Sequence, residues 1–303
     1  MASVAEMLRG VLQEDLSRVE ELLRSVGQSK VSLVPEIFYH TLDAGGKRIR
    51  PALALLAGRA VGEVNERTFE VAAAVELIHL ASLLHDDVVD ASPMRRGRPT
   101  AHTLWGNKSA ILVADYLFAM AFTLLTRHPD PHVVHTVSLA VDRMCEGELA
   151  QLENEGELDL SESQYLEMIA DKTGSLMAVA CELGAYVSGA GPRECRLLHT
   201  FGLKVGTAFQ MADDLLDLLA TEGEIGKPVG NDVRCGRITL PIIYTLRHTN
   251  GAFQRTLREL LTCQPMNEEI FQKIRSHVRA SGGVEYAQQK AKQLIEEAKD
   301  LLE

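Results

Sequence analysis

The pattern Asp-Asp-x-x-Asp occurs twice, as Asp86-Asp87-Val88-Val89-Asp90 and as Asp213-Asp214-Leu215-Leu216-Asp217, each time inside an apolar stretch of helical period. Positions i and i+4 of a helix share a face, so Asp86 projects with Asp90, and Asp213 with Asp217. Carboxylates set among Leu83, Leu84, Val88 and Val89, or among Met211, Leu215, Leu216, Leu218 and Leu219, are costly unless paired or metal-bound. Adjacent aspartates repel each other, and Asp is a middling helix former. Most acidic clusters on helices are solvated faces. Three local penalties incurred twice in one pattern point instead to a site that needs the charge. Two such clusters facing one cavity would hold several hard divalent cations through oxygen, the usual arrangement for Mg²⁺ and a diphosphate.

The rest of the chain reads as helix. Of 303 residues, 46% are hydrophobic but only 5% aromatic, so the expected core is Leu, Ala and Val, which suits helix packing. An apolar stripe runs from Val4 to Leu23, and the period predicts further helices near 34–43, 51–61, 66–90, 107–126, 130–155, 162–189, 193–220, 238–248, 252–262, 267–280 and 283–302. Glycine and proline breaks separate them. No period-two series appears and no Pro/Ser-rich linker divides the chain, so the expectation is one all-α domain over 1–303. The longest apolar run, Ala110 to Thr126, is short for a bilayer span and is broken by Asp115; it reads as a buried helix. The start, MASVAEMLRGVLQEDL, lacks the uninterrupted apolar core of a signal peptide. A net charge of −11 speaks against a nucleic-acid binder. Five scattered cysteines without a Cys-x-x-Cys pair suggest neither zinc nor a disulfide framework, and a reducing cytoplasm is the natural setting.

Four short segments set cations beside turn residues: Gly45-Gly46-Lys47-Arg48-Ile49-Arg50-Pro51, Arg95-Arg96-Gly97-Arg98, Asp171-Lys172-Thr173-Gly174, and Gly226-Lys227-Pro228-Val229-Gly230-Asn231-Asp232. Glycine lets backbone approach a phosphate, and Lys and Arg supply charge and donors. The first segment is not a P-loop, which spaces its glycines differently and ends in Ser or Thr. Any one of these could be a solvated loop or an ion pair with nearby aspartates. Carboxylates followed by cations, twice, are harder to reach by chance. His79 lies seven residues before Asp86, on nearly the same face, and could donate to a phosphate or be an ordinary core histidine. His85 reads as structural. Gln210, three residues before Asp213, is a modest site candidate.

Taken jointly, GGKRIRP (45–51), IHLASLLHDDVVDASPMRRGRPTAH (78–102), DKTG (171–174) and FQMADDLLDLLATEGEIGKPVGNDVRCGRITLP (209–241) resemble the trans-isoprenyl diphosphate synthases. The resemblance implies a helical bundle around a deep central cavity, normally a homodimer, that joins isopentenyl diphosphate head-to-tail to an allylic diphosphate. It implies Mg²⁺ as cofactor, three ions with bound diphosphate. Asp86, Asp90 and Asp213 would ligate the metal, with Asp87, Asp214 and Asp217 ligating or supporting it through water. Lys47, Arg50, His79 and Arg96 would hold the isopentenyl diphosphate. Arg95, Lys172, Gln210 and Lys227 would hold the allylic diphosphate, with Thr173 beside the reacting carbon. The family usually has Lys where this chain has Arg237; the charge is kept, but the two side chains differ in geometry.

Short-chain members often place an aromatic four or five residues before the first aspartate, as a floor to the product tunnel. Here those residues are Ser82 and Ala81. One helix turn rises about 5.4 Å, close to one isoprene unit, so an open Ala81-Ser82 step implies a long product of six to ten units, as in a quinone side chain. Ile78, Val75, Phe118 and Met120 are candidates for a deeper floor. Such a product would partition to a membrane. Short-chain synthesis is the first alternative. A class I terpene cyclase shares the first motif but generally carries an Asn/Ser/Glu metal motif second, and a non-catalytic partner subunit tends to lose the first aspartates. Both acidic motifs are intact here. A requirement for a small helper subunit stays open.

Overall fold

The computed structural model describes residues 4–219 and 230–303. The helices are α1 (Val4–Val26), α2 (Leu33–Leu42), α3 (Ile49–Val61), α4 (Glu66–Val89), α5 (Ala101–Trp105), α6 (Asn107–Leu125), α7 (Pro131–Glu153), α8 (Glu162–Ile169), α9 (Ser175–Tyr186), α10 (Pro192–Leu219), α11 (Asn231–Arg234), α12 (Leu240–His248), α13 (Gly251–Leu261), α14 (Glu268–Ala280) and α15 (Gly283–Asp300). Strands β1 (Met94–Arg95) and β2 (Arg98–Pro99) form one small hairpin. The all-α class read from the sequence holds. The chain divides into two compact units, 1–141 with 176–202, and 142–175 with 203–303. Because the units interleave in sequence, no single linker marks a boundary.

In the first unit α4 is the central element, packed by α1, α2, α3, α5 and α6. It is buried nearly all round from Thr68 to Leu84, the signature of a core helix rather than a surface one. Its start is fixed by a reciprocal cap. Asn65 accepts from the Thr68 N–H, and the Thr68 hydroxyl accepts from the Asn65 N–H. The Asn65 amide also donates to the Val187 carbonyl at 2.8 Å. The apolar run 110–126 departs from expectation. Ala110, Val113, Ala114, Leu117, Ala121, Leu124 and Leu125 are buried on α4, but Ile111 and Leu112 are exposed. It is a half-buried helix, and its one acidic residue, Asp115, meets His85 at 3.4 Å.

The second unit has its own core of Tyr165, Ile169, Met211, Leu215, Leu240, Ile243, Leu257, Phe271 and Ile274. Around it α12 packs on α8, α13, α14 and α15. The helix expected over 162–189 is interrupted: a π-helical turn, Ala170–Gly174, separates α8 from α9. The extra residue that such a turn inserts is most often found at functional sites.

Candidate active site

Both acidic motifs stand at the C-terminal ends of helices. Asp86 and Asp87 lie in the last turn of α4, and Asp90 is its C-cap, with its N–H donated to the Asp86 carbonyl at 2.8 Å. Asp213, Asp214 and Asp217 occupy the last two turns of α10. A helix C-terminus already carries about half a negative charge. Neither helix has a basic residue in its last turn. The carboxylates therefore add to the dipole instead of opposing it, a fourth penalty beyond those legible in the sequence, and one that a cation removes.

In the first unit the carboxylates sit beside a nest of arginines. Asp87 is 5% exposed and accepts from Arg95 Nε at 2.7 Å. Burial pushes its carboxyl up, with Arg95 pulling the other way. Arg95 and Arg96 come from the β1–β2 hairpin, whose two central residues, Arg96 and Gly97, both have positive φ (51° and 74°). That is the primed turn that matches strand twist. Gly97 adopts it freely; Arg96 adopts it under strain of about 1 kcal/mol. The turn brings the Arg96 guanidinium onto the Gly45 carbonyl, and so joins the second basic segment to the first.

Arg48 and Arg50 differ in what they are free to do. Arg48 donates to Glu20 at 3.2 Å, to Glu76 at 3.0 Å and to the Leu42 carbonyl at 3.2 Å. Arg50 keeps a buried Nε with no hydrogen-bond partner, and burial pushes its guanidinium down. An unsatisfied buried donor of that kind is what an anion-binding site presents. His79 lies in the same field. Burial, then Arg50, Arg96, Arg95 and Arg48, hold its imidazole well below its ordinary value, so it is neutral and has one ring N–H to donate. Lys47 is exposed.

In the second unit the motif is wired to the π turn. Asp214 is 7% exposed; Tyr165 Oη donates to its Oδ2 at 2.6 Å and Gln210 Nε2 to its Oδ1 at 2.8 Å. The Thr173 hydroxyl donates to Gln210 Oε1 at 2.8 Å. Lys172 is paired with Glu148 at 2.5 Å and Gln151 at 3.2 Å. Asp217 accepts from the Asp232 backbone N–H at 3.0 Å. Burial pushes Asp214 up to about 6, against the two hydrogen bonds, and pushes Asp232 well above the carboxylate range, helped by Asp214 and Asp217. Arg237 is 11% exposed and lies near Glu155 (3.6 Å) and Asp232 (3.8 Å). Lys227 lies outside the described residues.

The structure thus gathers Asp86, Asp87, Asp90, Arg50, His79, Arg95 and Arg96 in one unit, and Lys172, Thr173, Gln210, Asp213, Asp214, Asp217 and Arg237 in the other. Of the candidates for product length, Ile78, Val75 and Ala81 are fully packed, whereas Ser82 and Phe118 are partly accessible. The Ser82 hydroxyl is turned back to the His79 carbonyl at 2.9 Å, so the side chain offers an apolar edge. Phe118 stands 5.8 Å from the His85 ring. Sequence reasoning missed Tyr165, Glu148, Gln151 and Arg48. Asp232 and Arg48 lay within motifs already singled out; Tyr165 carried no local signal.

The donor set suits a hard divalent cation: oxygens only, crowded, and placed at helix C-termini. Among the described residues no three acidic, His or Cys side chains form a cage on their own. Mg²⁺ is commonly bound through one or two carboxylates, with substrate phosphates and water completing the octahedron, so an open cluster fits it.

The model of the family described as polyprenyl synthetase matches residues 31–278. An octaprenyl diphosphate synthase of Escherichia coli (strain K12) is 35% identical over 97% of this chain and 90% of its own length. Heptaprenyl diphosphate synthase component 2 of Geobacillus stearothermophilus is 42% identical over 78% of this chain and 73% of its own. A short chain isoprenyl diphosphate synthase of Methanothermobacter thermautotrophicus is 36% identical over 100% of this chain and 93% of its own. The crystal structure of a polyprenyl synthase from Caulobacter crescentus CB15, complexed with calcium and isoprenyl diphosphate, superposes with a TM-score of 0.94 at 35% identity, covering 100% of this chain and 92% of that one.

Proposed function

Since the chain belongs to the polyprenyl synthetase family and is a prenyltransferase, we propose that it makes a long all-trans polyprenyl diphosphate, of six to ten isoprene units, by adding isopentenyl diphosphate to an allylic primer. The observation that carries the chemistry lies within the first unit. Carboxylates that demand a cation (Asp86, Asp87, Asp90) and arginines that demand an anion are held side by side on α4, the hairpin and the 45–50 loop.

In this reading Arg50, His79, Arg96 and Lys47 bind the diphosphate of isopentenyl diphosphate. Arg95, Lys172, Gln210 and Lys227 bind that of the primer, and Thr173 lies by its reacting carbon. Asp86, Asp90 and Asp213 are the metal ligands, supported by Asp87, Asp214 and Asp217. Three Mg²⁺ ions, when bound, supply the positive charge that the departing pyrophosphate needs. The neutral imidazole of His79 donates one hydrogen bond without competing for the arginines. The double bond of isopentenyl diphosphate attacks the allylic cation, and the proton then lost goes to pyrophosphate, so no side-chain base is required. Water would quench the cation, and the apolar residues beside the aspartates suit its exclusion.

The length of the product rests on the step one turn before Asp86. Ser82 is small, partly accessible and has its hydroxyl tied to its own helix, and neither it nor Ala81 is aromatic. Phe118, partly accessible on α6, stands beside His85 at the aspartate end of α4, so it is not a floor deeper than Ser82. The exposed apolar residues Ile111 and Leu112 on α6 support a homodimer, which sedimentation of Leu112→Lys as a monomer would check. The family resemblance to a component 2 relative leaves room for a small helper subunit, and the cysteine usage favours the cytoplasm. The deciding experiment is product analysis by mass spectrometry after incubation with farnesyl and isopentenyl diphosphates and Mg²⁺. Products of thirty carbons or more are expected; a series stopping at fifteen or twenty would instead establish the short-chain activity.

A further inference from the structure

Tyr165, on α8, is 1% exposed. Its hydroxyl donates to Asp214 Oδ2, 2.6 Å away. The other carboxylate oxygen, Oδ1, accepts from Gln210. The Gln210 amide thus turns its NH₂ to Asp214 and its carbonyl to Thr173. The Thr173 hydroxyl, 2.8 Å from that carbonyl, must then donate to it. Lone pairs are all that Thr173 has left to offer a ligand.

We propose that Tyr165 is a positioning residue for the second aspartate cluster, and that through Asp214 and Gln210 it fixes Thr173 as a hydrogen-bond acceptor beside the reacting carbon. The proposal deepens the prenyl-transfer reading and rests on it. If Asp214 were free to rotate, the Gln210 amide could turn over. Thr173 would then present a proton, which a developing positive carbon disfavours; an oxygen lone pair stabilises it. The same anchor holds Asp214 in place as support for the metal ligand Asp213.

The test is Tyr165→Phe, which keeps the buried ring and removes only the donor. Calorimetric titration of Mg²⁺ into protein carrying inorganic pyrophosphate should show affinity reduced on the order of tenfold or more, the usual effect of removing a partner behind a metal ligand. Turnover should fall while KM for isopentenyl diphosphate, bound by residues of the other unit, stays at the wild-type value. A folded variant with wild-type Mg²⁺ affinity and turnover overturns the proposal. Should Tyr165→Phe fail to fold, Gln210→Met cuts the relay beyond Asp214. It removes the donor to Asp214 Oδ1 and the acceptor of the Thr173 proton together, so Mg²⁺ affinity and turnover should both fall, and a folded variant with wild-type values of both would overturn the proposal. Failure of the underlying reading looks different: the wild type itself would make no prenyl product while still binding Mg²⁺ and pyrophosphate.

Discussion

Two neighbouring arginines, Arg48 and Arg50, separate structure from function at the scale of single residues. Arg48 spends its guanidinium on Glu20, Glu76 and the Leu42 carbonyl, and it does so from a left-handed backbone, φ 49°. Glu76 is 4% exposed at its side chain, so Arg48→Ala would strand a buried carboxylate. The expected loss of stability is ~3 kcal/mol, read by urea unfolding. Arg50→Ala should cost less stability than Arg48→Ala, because the Arg50 Nε has no hydrogen bond to lose and Arg48 still pairs with Glu76. It should weaken pyrophosphate binding. His79 gives a pH signature. Its imidazole is held well below 6.5 by burial and four arginines. The unfolded chain takes up a proton near pH 6.5 and the folded chain does not, so this group lowers stability as pH falls below that value. His79→Gln should flatten the decline between pH 7 and pH 5 by up to about 1.4 kcal/mol per pH unit. An unchanged slope in urea unfolding at pH 7, 6 and 5 would show that His79 is protonated in the folded state.

At the scale of elements, most of the helices were legible because periodicity and glycine or proline breaks mark them locally. The aspartate pairing was legible too, because i and i+4 on a helix leave no choice of face. What escaped was set by contacts distant in sequence. The π turn 170–174 depends on α7 running against it. A Cβ on Gly147 would stand 2.5 Å from the Lys172 backbone nitrogen, a contact between residues 25 positions apart by their numbering. The β1–β2 hairpin escaped because Arg96 occupies a turn position usually filled by Asn or Gly. Tyr165 escaped because its partner, Asp214, is on another helix. Gly147 also makes a testable element. Gly147→Ala must push the backbone of the Lys172-Thr173 turn away from α7, at a cost of about 1–3 kcal/mol. Turnover should fall by more than stability accounts for, because Lys172 and Thr173 move together. Wild-type turnover in a folded Gly147→Ala protein would mean that the turn tolerates displacement.

At the scale of the whole molecule, charge decides how ligands enter. The chain carries −11, so pyrophosphate alone meets net repulsion, screened by salt. Mg²⁺ alone would answer the carboxylates within each unit, but among the described residues no three acidic, His or Cys side chains form a cage for it. Together each supplies what the other lacks, and such coupling is reciprocal: whatever Mg²⁺ adds to pyrophosphate affinity, pyrophosphate adds to that of Mg²⁺. At a hundredfold excess over the dissociation constant a ligand adds about 2.7 kcal/mol. Spread over the unfolding entropy of a 303-residue chain, that raises Tm by about 4 °C. Thermal unfolding in four conditions checks it: no ligand, Mg²⁺, pyrophosphate, and both. The joint shift should exceed the sum of the separate shifts, and EDTA should return Tm to its starting value. Merely additive shifts would mean that the carboxylates and the arginines bind their ions independently, and the diphosphate would then not be held through metal.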